Sequence, residues 1–102
     1  MIIKFKESYL EQLSKDQELI GKQQFPAEVI KAFKKRIFQI KNAKNSFELR
    51  NIKSLHFEKL KEKRYEDKYS IRLNDTYRII FGIDKQGNVE IILIEEISKH
   101  YS

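Results

Sequence analysis

The chain has no cysteine, no tryptophan, one proline and three glycines among its 102 residues. Without cysteine, neither a disulfide framework nor a thiolate metal site can form. That composition fits a reducing cytoplasm, where we expect the protein to reside. The longest apolar run is Ile91–Ile94, far too short to span a bilayer, so no membrane association is expected. The segment MIIKFKESYL lacks the apolar core and small-residue cleavage site of a signal peptide. There is no Pro/Gly/Ser-rich linker, internal repeat or low-complexity tract, so residues 1–102 are expected to form one domain. No HxxxE, HExxH or clustered aspartate pattern occurs, so we expect neither a metal centre nor another cofactor.

What is abundant is positive charge. The net charge is +6, with 35% charged and 40% hydrophobic residues. Residues 30–64 hold 12 lysines and arginines against three acids, Glu48, Glu58 and Glu62. The flanking regions are close to neutral or slightly acidic. Such a stretch is an electrostatic footprint for a polyanion, or else a solvated basic helix and loop.

Residues 2–5 alternate weakly and suggest an edge strand. Tyr9, Leu10 and Leu13 predict a short helix over 7–14. Pro26 stands where a helix can start. Ile30, Phe33, Ile37 and Ile40 make one apolar stripe of a helix running to about Lys44, with Lys31, Lys34, Lys35, Arg36 and Lys41 on its other faces. Asn45-Ser46 offers an N-cap for a short turn through Leu49. SLHFEKLK, residues 54–61, alternates loosely and predicts a strand, followed by a charged loop over 62–67. Phe33, Ile37, Phe81 and Ile91 are expected in the core.

The stretch from Tyr69 to Tyr101 predicts two β-hairpins. Tyr69, Ile71 and Leu73 share one face of a strand, and Tyr77, Ile79, Phe81 and Ile83 share one face of the next. If both sets point to one core, opposed residues must match in parity, because side chains alternate with period two. A turn at Asn74-Asp75-Thr76 satisfies this by pairing Leu73 with Tyr77, which sets Arg72 opposite Arg78 on the other face. Like charges directly opposed in a sheet are destabilising, and an anion between them reverses that sign. The second hairpin is expected to turn over Asp84–Asn88, with Gly87 at its flexible position. Its strand, Val89 to Ile97, is apolar on both faces, which suits a central or covered position. That strand runs back towards the Asn74 turn, bringing His100 within possible reach of the arginine face.

Cleaving RNA without a metal needs a base for the 2′-hydroxyl, a cation for the phosphate oxygens and an acid for the leaving 5′-oxygen. Carboxylate, guanidinium and imidazole suit those tasks, and arginine adds a fork that fits phosphate. The imidazoles available are His56 and His100. The plain alternative is a surface glutamate, an ion-paired arginine and a terminal histidine without a role.

The run YSIRLNDTYRIIF, the apolar strand after it, ISKHY, and the upstream EKLK resemble the RelE/ParE superfamily of toxins from bacterial toxin–antitoxin pairs, nearest to its HigB and YoeB branches. The resemblance covers roughly residues 55–101; before that, only the order of a strand and then helices agrees. It implies an α+β fold, a small mostly antiparallel sheet with N-terminal helices on one face. It also implies a metal-independent endoribonuclease that cuts mRNA in the ribosomal A site, alongside rRNA. In that frame Arg78 neutralises the scissile phosphate, Arg72 assists it, His100 is the acid and Glu58 the base. Lys59 and Lys61, with Lys63 and Arg64, grip the RNA backbone, and Tyr101 stacks on a base. The chain ends Ser-Lys-His-Tyr where HigB proteins usually end Asp-Tyr-His, and lacks their histidine before the Leu-Lys pair. His56 lies two residues from that place and competes with Glu58 for the role of base. The implied partner is a cognate antitoxin, with a helix-turn-helix protein among the options. The free toxin is expected to be a monomer that forms oligomers with its antitoxin. The alternatives are a ParE-like toxin that inhibits DNA gyrase, or an inactive relative that only binds its antitoxin.

Overall fold

The structure, a computed structural model, describes residues 1–15 and 23–99. Its elements in chain order are strand β1 (Ile2–Phe5), helices α1 (Ser8–Ser14), α2 (Ala27–Asn42) and α3 (Ser46–Arg50), then strands β2 (Glu58–Lys59), β3 (Lys68–Arg72), β4 (Tyr77–Gln86) and β5 (Val89–Lys99). Among the described residues the strands form one sheet in the order β1-β5-β4-β3-β2. Only the β1–β5 pairing is parallel.

The helical stripe forms as its spacing predicts. Ile30, Phe33, Ile37 and Ile40 are all buried along α2. Pro26, which lacks an amide hydrogen to donate, takes the N-cap position, and the helix ends at Asn42, two residues short of the expected Lys44. Asn45 caps α3 by accepting a bond from the Glu48 backbone N–H at 3.0 Å. The helix residues pack with Ile71, Ile79, Phe81, Ile92, Ile94 and Ile97 from one face of the sheet, so the other face is left for different work.

The β3–β4 register is the one that parity requires. Ile71 pairs with Ile79 and Arg72 with Arg78, and the Leu73 N–H donates to the Tyr77 carbonyl at 2.9 Å. The second hairpin is tighter than expected. Pairing continues to Gln86 opposite Val89, which leaves Gly87 and Asn88 to reverse the chain. Gly87 takes φ +63° there, a left-handed conformation that glycine adopts without a Cβ penalty. β5 is interior and runs on to Lys99. Ile80 pairs with Glu96 but Phe81 with Ile94, so Glu95 is the extra residue of a β-bulge. The bulge shifts the parity of the inward residues from Ile97 to Ile94 and Ile92. Ile91, expected in the core, is buried as expected, but on the opposite face of the sheet for that reason.

The stretch 54–61 is not the strand its alternation predicts. Lys53–Leu55 is a turn of 3-10 helix that buries Leu55, and His56 then reverses the chain with left-handed dihedrals, φ 46° and ψ 52°. Only Glu58 and Lys59 pair, with Ser70 and Tyr69. Phe57 enters an aromatic cluster, 5.6 Å from both Tyr69 and Phe81 between ring centroids. The charged 62–67 segment contains a second 3-10 turn, Lys63–Tyr65.

Candidate functional site

Alternation along β3 and β4 turns Ser70, Arg72, Arg78 and Ile80 away from the helices. Arg78 stands on an interior strand and is only 6% exposed. Its Nη2 lies 3.5 Å from the Glu62 carboxylate, and its guanidinium carbon is 5.9 Å from the Tyr65 ring centroid. The Arg78 Nε is buried with no hydrogen-bond acceptor. Tyr65 is held in place by the bond its hydroxyl donates to Glu96 Oε1 at 2.6 Å. Burial first, and that bond second, push the Tyr65 phenol above its ordinary pKa. Arg78 is thus a fixed, nearly dehydrated cation paired with one half-exposed carboxylate, Glu62, and with its Nε unused. A buried charge left short of partners is costly, and a fork with an unused N–H is suited to an arriving oxyanion.

Arg72 is more exposed and more tightly tied. Its Nε donates to the Asn74 carbonyl at 3.2 Å, its Nη2 pairs with the Asp75 carboxylate, and its Nη1 lies 3.5 Å from His56 Nε2. The turn beneath it is set by Asn74, whose Oδ1 accepts from the N–H groups of Thr76 at 2.9 Å and Tyr77 at 2.7 Å.

His56 and Glu58 reach this place because Phe57 between them is drawn the other way, into the aromatic cluster. Together with Ser70, Arg72, Asn74, Asp75, Tyr77 and Arg78 they line a cleft of about 240 Å³. Four residues singled out from sequence, His56, Glu58, Arg72 and Arg78, therefore meet in one hollow. His100 and Tyr101 lie outside the described residues; Lys99, the last described one, pairs with Tyr77 on the cleft wall. Lys59, Lys61, Lys63 and Arg64 do not line the cleft, although all four are exposed. Lys59 follows Glu58 on the strand and so points to the opposite face. Arg64 is engaged with Glu62 at 3.5 Å and with the Tyr65 ring. Ser70, Asn74 and Tyr77 line the cleft as well; Ser70 shares the parity of Arg72, and Asn74 and Tyr77 belong to the hairpin turn beside it. Asp75 reads from sequence only as a turn residue, and the folded turn shows that it pairs with Arg72.

The cleft offers two guanidinium groups, two carboxylates (one of them, Asp75, paired with Arg72) and an imidazole around a space open to solvent. Such a set can bind a phosphodiester, take a proton from a neighbouring hydroxyl and stabilise charge on phosphorus oxygens. Among the described residues, no group of three or more His, Asp or Glu side chains is placed to hold a metal ion.

Residues 3–95 match the family model described as a RelE-like toxin of type II toxin–antitoxin system HigB. No curated protein matches the chain. Among solved structures, the fold is similar to a YoeB/ParE toxin from Agrobacterium tumefaciens, with a TM-score of 0.61 and 15% identity, over 99% of this chain and 100% of that one.

Proposed function

Since the chain belongs to the HigB-like family of RelE-like toxins from type II toxin–antitoxin systems, we propose that it is an endoribonuclease that cuts translated mRNA in the ribosomal A site. Membership implies a cognate antitoxin as its protein partner. The observation that carries the nuclease reading is the pair Arg72–Arg78. Two guanidiniums are opposed on the open face of the sheet, and one of them is buried with an N–H to spare.

The placement of Glu58, Arg72 and Arg78 around one cleft supports roles for those three, and the roles of His100 and Tyr101 rest on the family resemblance. The RNA phosphodiester enters the cleft with its non-bridging oxygens between Arg72 and Arg78. Glu58 takes the proton of the 2′-hydroxyl as that oxygen attacks phosphorus. The bond from phosphorus to the 5′-oxygen then breaks, and His100 gives that oxygen its proton. The products are a 2′,3′-cyclic phosphate and a 5′-hydroxyl. Lys59, Lys61, Lys63 and Arg64 hold the flanking backbone or rRNA from outside the cleft, and Tyr101 stacks on a base. His56 is the second reading for the base. Its Nε2 already contacts Arg72, and its left-handed backbone is the kind of local strain that collects at functional sites.

The test is primer-extension mapping of transcripts after brief induction without antitoxin. Discrete cuts inside reading frames, absent when translation is blocked and absent with His100→Ala, support the proposal. Intact transcripts together with loss of gyrase supercoiling overturn it in favour of a ParE-like mode.

A further inference from the structure

A third guanidinium lies behind the cleft. Arg36, half-buried on α2, sends its Nε to the Arg72 backbone carbonyl at 3.2 Å. Its Nη1 donates to Gln39 Oε1 at 2.8 Å. Both acceptors are neutral, and among the described residues no carboxylate forms an ion pair with Arg36. Arg72 has Asp75 and Arg78 has Glu62, so Arg36 is the member of this group whose charge is unanswered. Burial lowers the Arg36 pKa, and the positive charge of Arg72 lowers it further.

A cation set beside another cation in a half-buried place is unfavourable for the fold taken alone. A glutamine amide could donate to the same carbonyl without that cost. The bond itself therefore does not explain why a guanidinium stands here. A phosphate held by Arg72 does explain it. Arg36 fixes the end of β3, from which the Arg72 side chain leaves, and its charge strengthens the potential at the phosphate oxygen that Arg72 holds. It needs no contact with the ligand to do either, much as outer-layer groups orient those that touch a ligand.

We propose that Arg36 is a positioning residue that acts through Arg72 to hold the RNA phosphate. The proposal rests on the nuclease reading of the same cleft, and its test separates the two. The probe is a short single-stranded RNA with 2′-O-methyl riboses, which binds but is not cut. Binding is measured for the wild type and for Arg36→Lys, Arg36→Gln, Arg72→Gln, Arg78→Gln and the Arg36→Gln/Arg72→Gln pair, with melting temperatures alongside. Arg36→Lys, which keeps both donor and charge, is expected to bind within about threefold of wild type, whereas Arg36→Gln weakens binding about fivefold or more, the scale of coupling between contacting residues. Arg36→Gln melts at or above the wild type, because the cation it removes is unfavourable for the fold alone. In the Arg72→Gln background, Arg36→Gln is expected to cost little more, because the residue it serves is gone. Wild-type affinity in Arg36→Gln, or a loss that adds fully to that of Arg72→Gln, overturns the role of Arg36. If Arg78→Gln also binds as wild type, the RNA reading of the cleft fails, and the role of Arg36 falls with it.

Discussion

Arg72 and Arg78 stand directly opposite each other on β3 and β4, on the face of the sheet that the helices leave open. Opposed like charges are destabilising, and burial of Arg78 adds to that cost. An anion between them removes the penalty. Sulfate or phosphate is therefore expected to raise the melting temperature of the wild type more than chloride at equal ionic strength, since a ligand that binds only the folded state stabilises it by mass action. Arg78→Gln is expected to keep only the smaller, general part of that difference that comes from exclusion of these anions from the protein surface. An equal response in both proteins counts against an anion site.

The base is assigned by comparing Glu58→Gln with His56→Ala in single-turnover cleavage. Loss of a general base costs about 10²- to 10⁴-fold. We expect Glu58→Gln to fall in that range and His56→Ala to lose less than tenfold. The reverse order moves the role to His56 and leaves Glu58 as a wall of the cleft.

His56 also makes a stability prediction that is independent of catalysis. Its φ of 46° lies in the left-handed region, which costs an L-residue roughly 1–2 kcal/mol and glycine almost nothing. His56→Gly should unfold at higher denaturant than His56→Ala, by about 1 kcal/mol. Equal stabilities would show that the reversal at 56 is not set by this residue.

Two carboxylates on β5 tie other elements to it, Glu90 the start of α3 and Glu95 strand β3, and both respond to acid. Burial alone would raise the Glu90 carboxyl, but the Ser46 N–H and hydroxyl, with Lys85 and Arg50, outweigh it and hold its pKa below the ordinary 4.5. Burial likewise opposes, and Lys68 and Lys6 override, at Glu95, which is bonded to Lys68 Nζ at 2.9 Å. A carboxyl depressed by folding stabilises the fold above its unfolded pKa, and that contribution is lost as pH falls through the folded value. Melting temperature should therefore drop below about pH 4.5. Glu90→Gln and Glu95→Gln should melt lower than wild type at pH 7 and approach it in acid. Parallel curves for wild type and variants from pH 7 to pH 3 would exclude these two groups as the cause.

The parts of this site legible in the sequence are those that depend on neighbours along one strand or hairpin. Period-two alternation places Arg72 against Arg78, and the Asn74 turn follows from the same parity. The 3.6-residue stripe on α2 identifies its buried face. What escapes is set by contacts between distant segments. The reversal at His56 depends on Leu55 and Phe57 each finding a place in the folded core. The bulge at Glu95 changes which residues of β5 face inward, and Ile91 changes face with it. Glu62 and Tyr65 come beside Arg78 only when the 62–67 segment lies over the open face. Arg36 reads as one cation among many on a basic helix until the fold brings it to the Arg72 carbonyl.

The most direct measurement is single-round cleavage of a defined transcript in a translating extract, comparing the wild type with an Arg72→Gln/Arg78→Gln double variant that binds antitoxin normally. The account predicts cuts that carry 5′-hydroxyl and 2′,3′-cyclic phosphate ends, reduced by the double variant at least 10²-fold, the scale of removing transition-state charge stabilisation. Cleavage that persists undiminished in the double variant, or an intact transcript with the wild type, contradicts it.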